Sequence, residues 1–407
     1  MKSRVVVTGM GILSPMGNSI REFWENALSK IICYDLHKKS ELFHGEGRIY
    51  GEIPPIADAL QGLDREQAQR LGRPSVLALH AARQALRQSG IDLVKEDGER
   101  ISVIIGNAIS DTPYCERIFL GKEDPAHRFE KGMFVCIASN LAKILGTCGE
   151  AYVMSTGCTA GIDAIGAAFE SIRGNEADIA VCGGVEAPIS NITFASFEKI
   201  GALAKGFESM PQSASRPFDR DRNGFVLSEG CGILVLESLS HALQRRAQII
   251  GEILAYDSCS NAFHMTDLKE EDDGLTRAIA QILREAGISP SDIDYINAHG
   301  SSTRQNDIYE TMTFKRVFGE HAGRIAISSA KSQMGHPLGS ASAIEIIQTL
   351  LAIQNATIPP TANYESVDEK CDLHYVTEAT ESRIRYAVKT ANGFSGIHSA
   401  MLLGKYS

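Results

Sequence analysis

The chain has 407 residues, 43% of them hydrophobic and 22% charged, a composition that buries a sizeable core and excludes a disordered polypeptide. Its formal net charge of -10 argues against nucleic-acid binding as a property of the whole chain, because phosphate recognition needs a basic face.

The start, Lys2-Ser3-Arg4 and then VVVTGMGILSPMG, has the basic and apolar parts of a signal peptide, but its interior glycines fit a buried strand at Val5–Thr8 closed by a Gly-rich turn. No run of roughly 18 apolar residues follows, so no membrane span is expected and a cytoplasmic protein is. The runs RISVIIGN, EAYVMSTG, DIAVCGG, GCGILVLE, DYINAHG, RIAISSA and HSAMLLGKY are short, apolar and β-branched, and helical patterns separate them. This alternation predicts an α/β fold with sheets covered on both faces. After STGCT the segment AGIDAIGAAFESIRGN has small residues that let backbones approach closely, so it predicts a central helix. Near residue 250 the helix SHALQRRAQ gives way to a strand in IIGEILAYDS with no linker, dividing the chain into residues 1–250 and 251–407 around one core. Sequence identity reveals no internal repeat.

The nine cysteines, Cys33, Cys115, Cys136, Cys148, Cys158, Cys182, Cys231, Cys259 and Cys371, contain no CxxC. They fit a reducing compartment and offer no zinc module, so no metal is expected. Cys158 follows a strand and precedes a helix, where free N–H groups and the helix dipole favour a thiolate. The flanking Thr156 and Ala160 exclude the Gly-x-Ser-x-Gly type of elbow. By position alone Cys158 is as readily a buried core thiol. His299 and His336 both follow apolar strands, and Lys331 lies between the second strand and His336. Singly, each histidine reads as structural; with Cys158 they make a set suited to thioester chemistry. RPFDRDRNGFVLSEG lacks the carboxylate spacing of a calcium loop and reads as a solvated or ion-paired structural loop. His264 in NAFHMT reads as structural.

In order along the chain, VVVTGMGILSPMG, STGCTAGIDAIGAA, RPFDRDRNGFVLSEG, NAHGSST with Asp307 and Glu310, KSQMGHPLG and NGFSGIHSAM resemble the β-ketoacyl-acyl carrier protein synthases from end to end. GCT at the cysteine, PPTANY at Pro359–Tyr364 and CDLHYV at Cys371–Val376 resemble the ketosynthase alpha subunit of type II polyketide synthases more than the fatty-acid elongation enzyme. The resemblance implies a thiolase fold, two similar halves in a five-layer αβαβα sandwich. It also implies decarboxylative Claisen condensation of malonyl-acyl carrier protein with an acyl or polyketide chain on Cys158. A homodimeric elongation synthase is the enzymatic alternative, and a non-catalytic scaffold or chain-length partner the alternative of another class. Thiolases share the fold but use a second cysteine, whereas NAHG and GHPLG supply two histidines.

By the same resemblance, backbone N–H groups of Cys158 and Phe394 hold the oxyanion, His299 and His336 bind the malonyl carbonyl as neutral imidazoles, and Lys331, Glu310 and Asp307 support them. Phe394 corresponds to a gate, although Ser395 stands where the family run is Gly-Phe-Gly-Gly and restricts the backbone wherever positive φ is needed. His264 corresponds to a position near the acyl-pocket mouth. No cofactor is implied, the substrates arriving on the phosphopantetheine of an acyl carrier protein. Arg65 and Arg70 are the docking candidates for that acidic partner, and a heterodimer with a chain-length factor is implied for the polyketide subfamily.

Overall fold

The computed structural model describes residues 2–37, 47–57, 60–123, 129–268 and 273–406. Ten strands make one hydrogen-bonded ribbon: β1 (Val5–Leu13), β2 (Ile101–Gly106), β3 (Ala151–Met154), β4 (Ile179–Glu186), β5 (Gly230–Ser238), β6 (Gly251–Ser260), β7 (Tyr295–Asn297), β8 (Ala326–Ser328), β9 (Tyr386–Gly393) and β10 (Ile397–Gly404). In the first half β1 pairs antiparallel with β5 and β5 with β4, after which β4, β2 and β3 run parallel. In the second, β6 pairs antiparallel with β10 and β10 with β9, after which β9, β7 and β8 run parallel. One topology therefore occurs twice, and the halves join where Val5–Val7 pair with Gly251–Ile253. The duplication lies in the strand pattern, which is why residue identities do not display it.

Six helices complete the layers: α1 (Arg73–Ser89), α2 (Val135–Leu145), α3 (Ala160–Arg173), α4 (Gly274–Ala286), α5 (Arg304–Phe318) and α6 (Ala341–Asn355). α3 and α6 pack on each other and on strands of both halves, so they form the middle layer. Their sequences explain the position: every residue of α6 from Ala341 to Ile353 is buried, and a Cβ at Gly106 would lie 2.2 Å from the Ala160 carbonyl at the head of α3. Apolar faces of α1 and α2 cover the outside of the first half, and those of α4 and α5 the second. Gly90 and Gly287, both at φ 68°, close α1 and α4 in the left-handed conformation that glycine adopts without strain. The result is the αβαβα sandwich implied above.

Strand β9, with the sequence YAVKTANG, is absent from the strands anticipated above because Lys389 and Asn392 break its apolar run; both are buried. The charged RPFDRDRNGF loop is likewise more buried than its composition suggests. Arg216 pairs with Asp219 at 2.9 Å, while the buried Arg222 lies 3.3 Å from Asp307 and 2.7 Å from Asp368. Such charges tolerate burial only when paired, so this loop is the ion-paired alternative and not the solvated one.

Candidate active site

The duplicated topology brings the candidate residues to one place. β3 leads through the turn Gly157–Thr159 into α3, and β8 leads through Lys331–Met334 and Leu338–Ser340 into α6. The first connection carries Cys158 and the second carries His336, while His299 sits just beyond β7. All three line one cavity of about 370 Å³, together with Phe225, Asn306, Asn392 and Phe394.

Cys158 is buried, and the backbone N–H groups of Phe394 and of Cys158 itself act on the sulfur in the direction that favours its anion. Gly157 enters the turn at φ +66°, and Thr156 and Thr159 donate their hydroxyls to Asp163 at 2.5 and 2.7 Å. Tyr256 and Ser399 donate to the other oxygen of Asp163 at 2.9 and 2.5 Å. This carboxylate thus fastens the Cys158 turn to β6 and β10 of the second half. The expected resting thiolate is not what the environment favours. Burial pushes the thiol up to about 12, Lys331 only partly opposes this, and the carboxyl of Glu186 adds to it. Desolvation of the anion here outweighs the helix terminus.

The rings of His299 and His336 meet edge to face with centroids 5.2 Å apart, and Phe225 packs on His336 at 5.0 Å. Burial holds both imidazoles well below the usual histidine range, with the Lys331 and Lys389 ammonium groups adding to the effect. Both are therefore neutral near pH 7, able to donate one hydrogen bond each without carrying charge.

Lys331 donates to the His299 carbonyl at 2.6 Å and to Glu345 at 2.5 Å, so it meets the histidine through the backbone and not the ring. Glu310 accepts the N–H groups of His299 and Gly300 at 2.8 and 2.7 Å, the Thr390 hydroxyl at 2.7 Å and the Asn306 amide at 3.0 Å. Asp307 takes the Phe218 N–H at 2.8 Å and the Asn306 amide at 3.0 Å beside Arg222, and burial pushes it up to about 6. Ser395, next to Phe394, does adopt a positive φ of 68°, and its N–H donates to the Met265 carbonyl at 2.6 Å. Phe394 and Phe197 approach at 6.2 Å.

Arg65 and Arg70 lie on the short exposed helix Arg65–Arg70, outside the cavity lining, and Arg70 is drawn to Glu66 at 2.5 Å. Arg304, not singled out from the sequence, lines the cavity. The exposed His264 accepts the N–H groups of Thr266 and Asp267 at 3.2 and 3.0 Å, which shapes the loop flanking the cavity. Three further features were not evident from the sequence. Glu186, which ends β4, accepts from Ala108 and Gly339 N–H groups and is pushed up to about 8 by burial. Asn392 links His398 to Asn306, at 2.8 Å each. Lys389 lies buried beneath the histidine-bearing strand end. A carboxylate closing the apolar run of DIAVCGGVE was the available signal for the first.

Residues 2–242 match the beta-ketoacyl synthase N-terminal domain and residues 250–365 the beta-ketoacyl synthase C-terminal domain. The chain belongs to the β-ketoacyl synthase family, acyltransferases of the thiolase fold that form carbon–carbon bonds by condensation. Within it, the chain is 40% identical over 419 residues to the tetracenomycin polyketide synthase ketoacyl synthase alpha subunit of Streptomyces glaucescens, covering 99% of this chain and 97% of that one. It is 38% identical over 418 residues to 3-oxoacyl-[acyl-carrier-protein] synthase 2 of a Synechocystis species, covering 100% and 99%. Among solved structures, a type II polyketide synthase acyl-carrier protein in complex with its ketosynthase bound to the hexaketide matches with a TM-score of 0.90 at 38% identity, over 100% of both chains. The ishigamide ketosynthase/chain length factor matches with a TM-score of 0.90 at 30% identity, also over 100% of both. No helix among the described residues is long and apolar enough to cross a membrane.

Proposed function

We propose that this chain is the ketosynthase alpha subunit of a type II polyketide synthase, condensing malonyl-acyl carrier protein with a chain carried on Cys158. The observation that carries the reading is the convergence of Cys158, His299 and His336 on one cavity. In the first step the thiol sulfur bonds to the carbonyl carbon of an incoming thioester and loses its proton, while the pantetheine sulfur leaves and takes up a proton. N–H groups of Cys158 and Phe394 hold the oxyanion. In the second, the bond from the malonyl α-carbon to its carboxylate breaks and carbon dioxide departs. The electron pair enters an enolate whose oxygen accepts hydrogen bonds from neutral His299 and His336. The carbanion attacks the acyl-cysteine carbonyl, the carbon–sulfur bond breaks, the Cys158 sulfur leaves with the electron pair and takes up a proton from solvent, and a β-ketoacyl thioester forms. Residues 1–250 carry the nucleophile and residues 251–407 the two histidines.

Two partners belong to this reading. One is an acyl carrier protein, an acidic protein for which Arg65 and Arg70 are candidate contacts. The other is a chain-length factor, a second chain of the same fold. The open edge of β3 at the end of the ribbon supports a subunit interface there, with Tyr152, Val153 and Met154 only half-buried and Phe134 and Val135 of the adjoining segment exposed.

Intact-mass analysis after incubation with an acyl-carrier substrate tests the nucleophile: the wild type gains a thioester adduct and Cys158→Ala does not. An equal adduct on the variant rejects the assignment. Purification with bound partners distinguishes a one-to-one complex with a cysteine-less homologue, as expected, from the homodimer of an elongation enzyme.

A further inference from the structure

We propose that Lys389 is a positioning residue of the condensing site, whose buried ammonium fixes the strand end leading to His299 and balances the charge behind both histidines. The inference rests on the decarboxylating role of the histidines given above.

Lys389 projects from β9 with a side chain that is 0% exposed. Its Nζ donates to the carbonyls of Asn297, Ala298 and Thr390 at 3.2, 3.3 and 2.5 Å. An ammonium has three protons and no acceptor, so three carbonyls satisfy it. Lys389 also forms an ion pair with Glu345, 2.9 Å from its Oε2, while Lys331 takes Oε1 of the same carboxylate at 2.5 Å. Because Lys331 holds the His299 carbonyl, two ammonium groups sharing one carboxylate grip the consecutive carbonyls of residues 297, 298 and 299. The main-chain path into His299 is therefore set by β9 and the α6 segment as much as by its own strand.

The charges are as telling as the hydrogen bonds. Behind the imidazoles lie Lys331 and Lys389 against Glu345 and Glu310, the last accepting four hydrogen bonds. Asp307 is matched separately by Arg222. With Lys389 present the group is balanced; without it, one negative charge remains uncompensated behind the place where an enolate oxygen must accumulate charge. Lys389 also helps hold both imidazoles below their usual range, and burial lowers its own pKa to about 8. Removing the cation raises the histidine pKa values, so the acid limb of the decarboxylation profile moves to higher pH. Above about pH 8 the wild type loses the Lys389 charge and with it part of its rate, an alkaline decline that the variant lacks.

The test uses the full chain with malonyl-acyl carrier protein. For Lys389→Met, decarboxylation kcat is expected to fall roughly ten- to a hundredfold, with the acid limb displaced upward, while Cys158 acylation stays within about threefold. Adding Glu345→Gln restores charge balance and should recover at least about fivefold of the lost kcat. An unchanged rate and pH profile, or a double variant no better than the single one, overturns the proposal. If the single variant does not fold, a folded double variant within about tenfold of wild-type decarboxylation supports charge balance, and its failure to fold or to decarboxylate rejects it. His299→Ala and His336→Ala run alongside: wild-type decarboxylation in those variants removes the reading beneath the inference, whereas loss in them with no effect of Lys389→Met removes the inference alone.

Discussion

The backbone N–H of His299 donates to Oε1 of Glu310 at 2.8 Å, eleven positions further along the chain. The neighbouring N–H of Gly300 occupies Oε2 at 2.7 Å, so one carboxylate on α5 sets the direction in which the chain leaves β7 and presents the imidazole. Glu310→Gln keeps the shape but replaces one acceptor oxygen with a donor facing N–H groups. A loss of about 1–3 kcal/mol in folding stability is expected, the usual range for an orphaned buried group. Malonyl decarboxylation should fall by at least about tenfold while Cys158 acylation persists. Urea titration together with the two half-reactions checks this.

The two depressed histidines link stability to acid. In the unfolded chain they protonate near pH 6.5, whereas in the fold burial and the lysines hold them well below that. The unfolded state therefore binds more protons below about pH 6.5, and the stability fully present above that value is lost as pH falls towards the folded pKa values. The slope is about 1.4 kcal/mol per pH unit for each histidine. Urea midpoints at pH 7, 6 and 5 should decline accordingly, and more shallowly in His336→Ala. Decarboxylation should show no acid limb centred near 6.5.

Cys158 carries its proton at rest, its thiol pushed up to about 12 by burial. Alkylation by iodoacetamide, read for this cysteine by peptide mass spectrometry, should climb continuously through pH 9 and 10. A plateau below pH 9 would show that the thiolate is far better stabilised than the burial of this sulfur allows.

At φ 68° Ser395 occupies the left-handed region, costing a non-glycine residue roughly 1 kcal/mol. Glycine relieves that strain but adds a similar unfolded-chain entropy, so Ser395→Gly should change stability by less than about 1 kcal/mol. Ser395→Val, β-branched at a positive φ, should cost roughly 2 kcal/mol. Thermal melts of the three proteins separate these outcomes. Faster Cys158 acylation in Ser395→Gly is the expected sign that the Phe394 turn opens more readily.

What the sequence determined by itself is local in origin. Apolar β-branched runs ending in glycine specify strands, the small residues after Cys158 specify a helix that can be enclosed, and a cysteine and two histidines at strand ends point to thioester chemistry. The tertiary structure decided what depends on distant neighbours. Whether Cys158 rests as a thiolate is settled by desolvation, with contributions from Lys331 and Glu186. Arg222 and Lys389 look like surface charges in the sequence, yet they are buried because Asp307 and Glu345, from elsewhere in the chain, neutralise them. β9 escapes the apolar pattern for the same reason: its lysine faces inward to hold Asn297 and Ala298, more than 90 positions away for each. Periodicity records which residues avoid water, but the cost of burying a charge is offset by partners that only folding brings within reach.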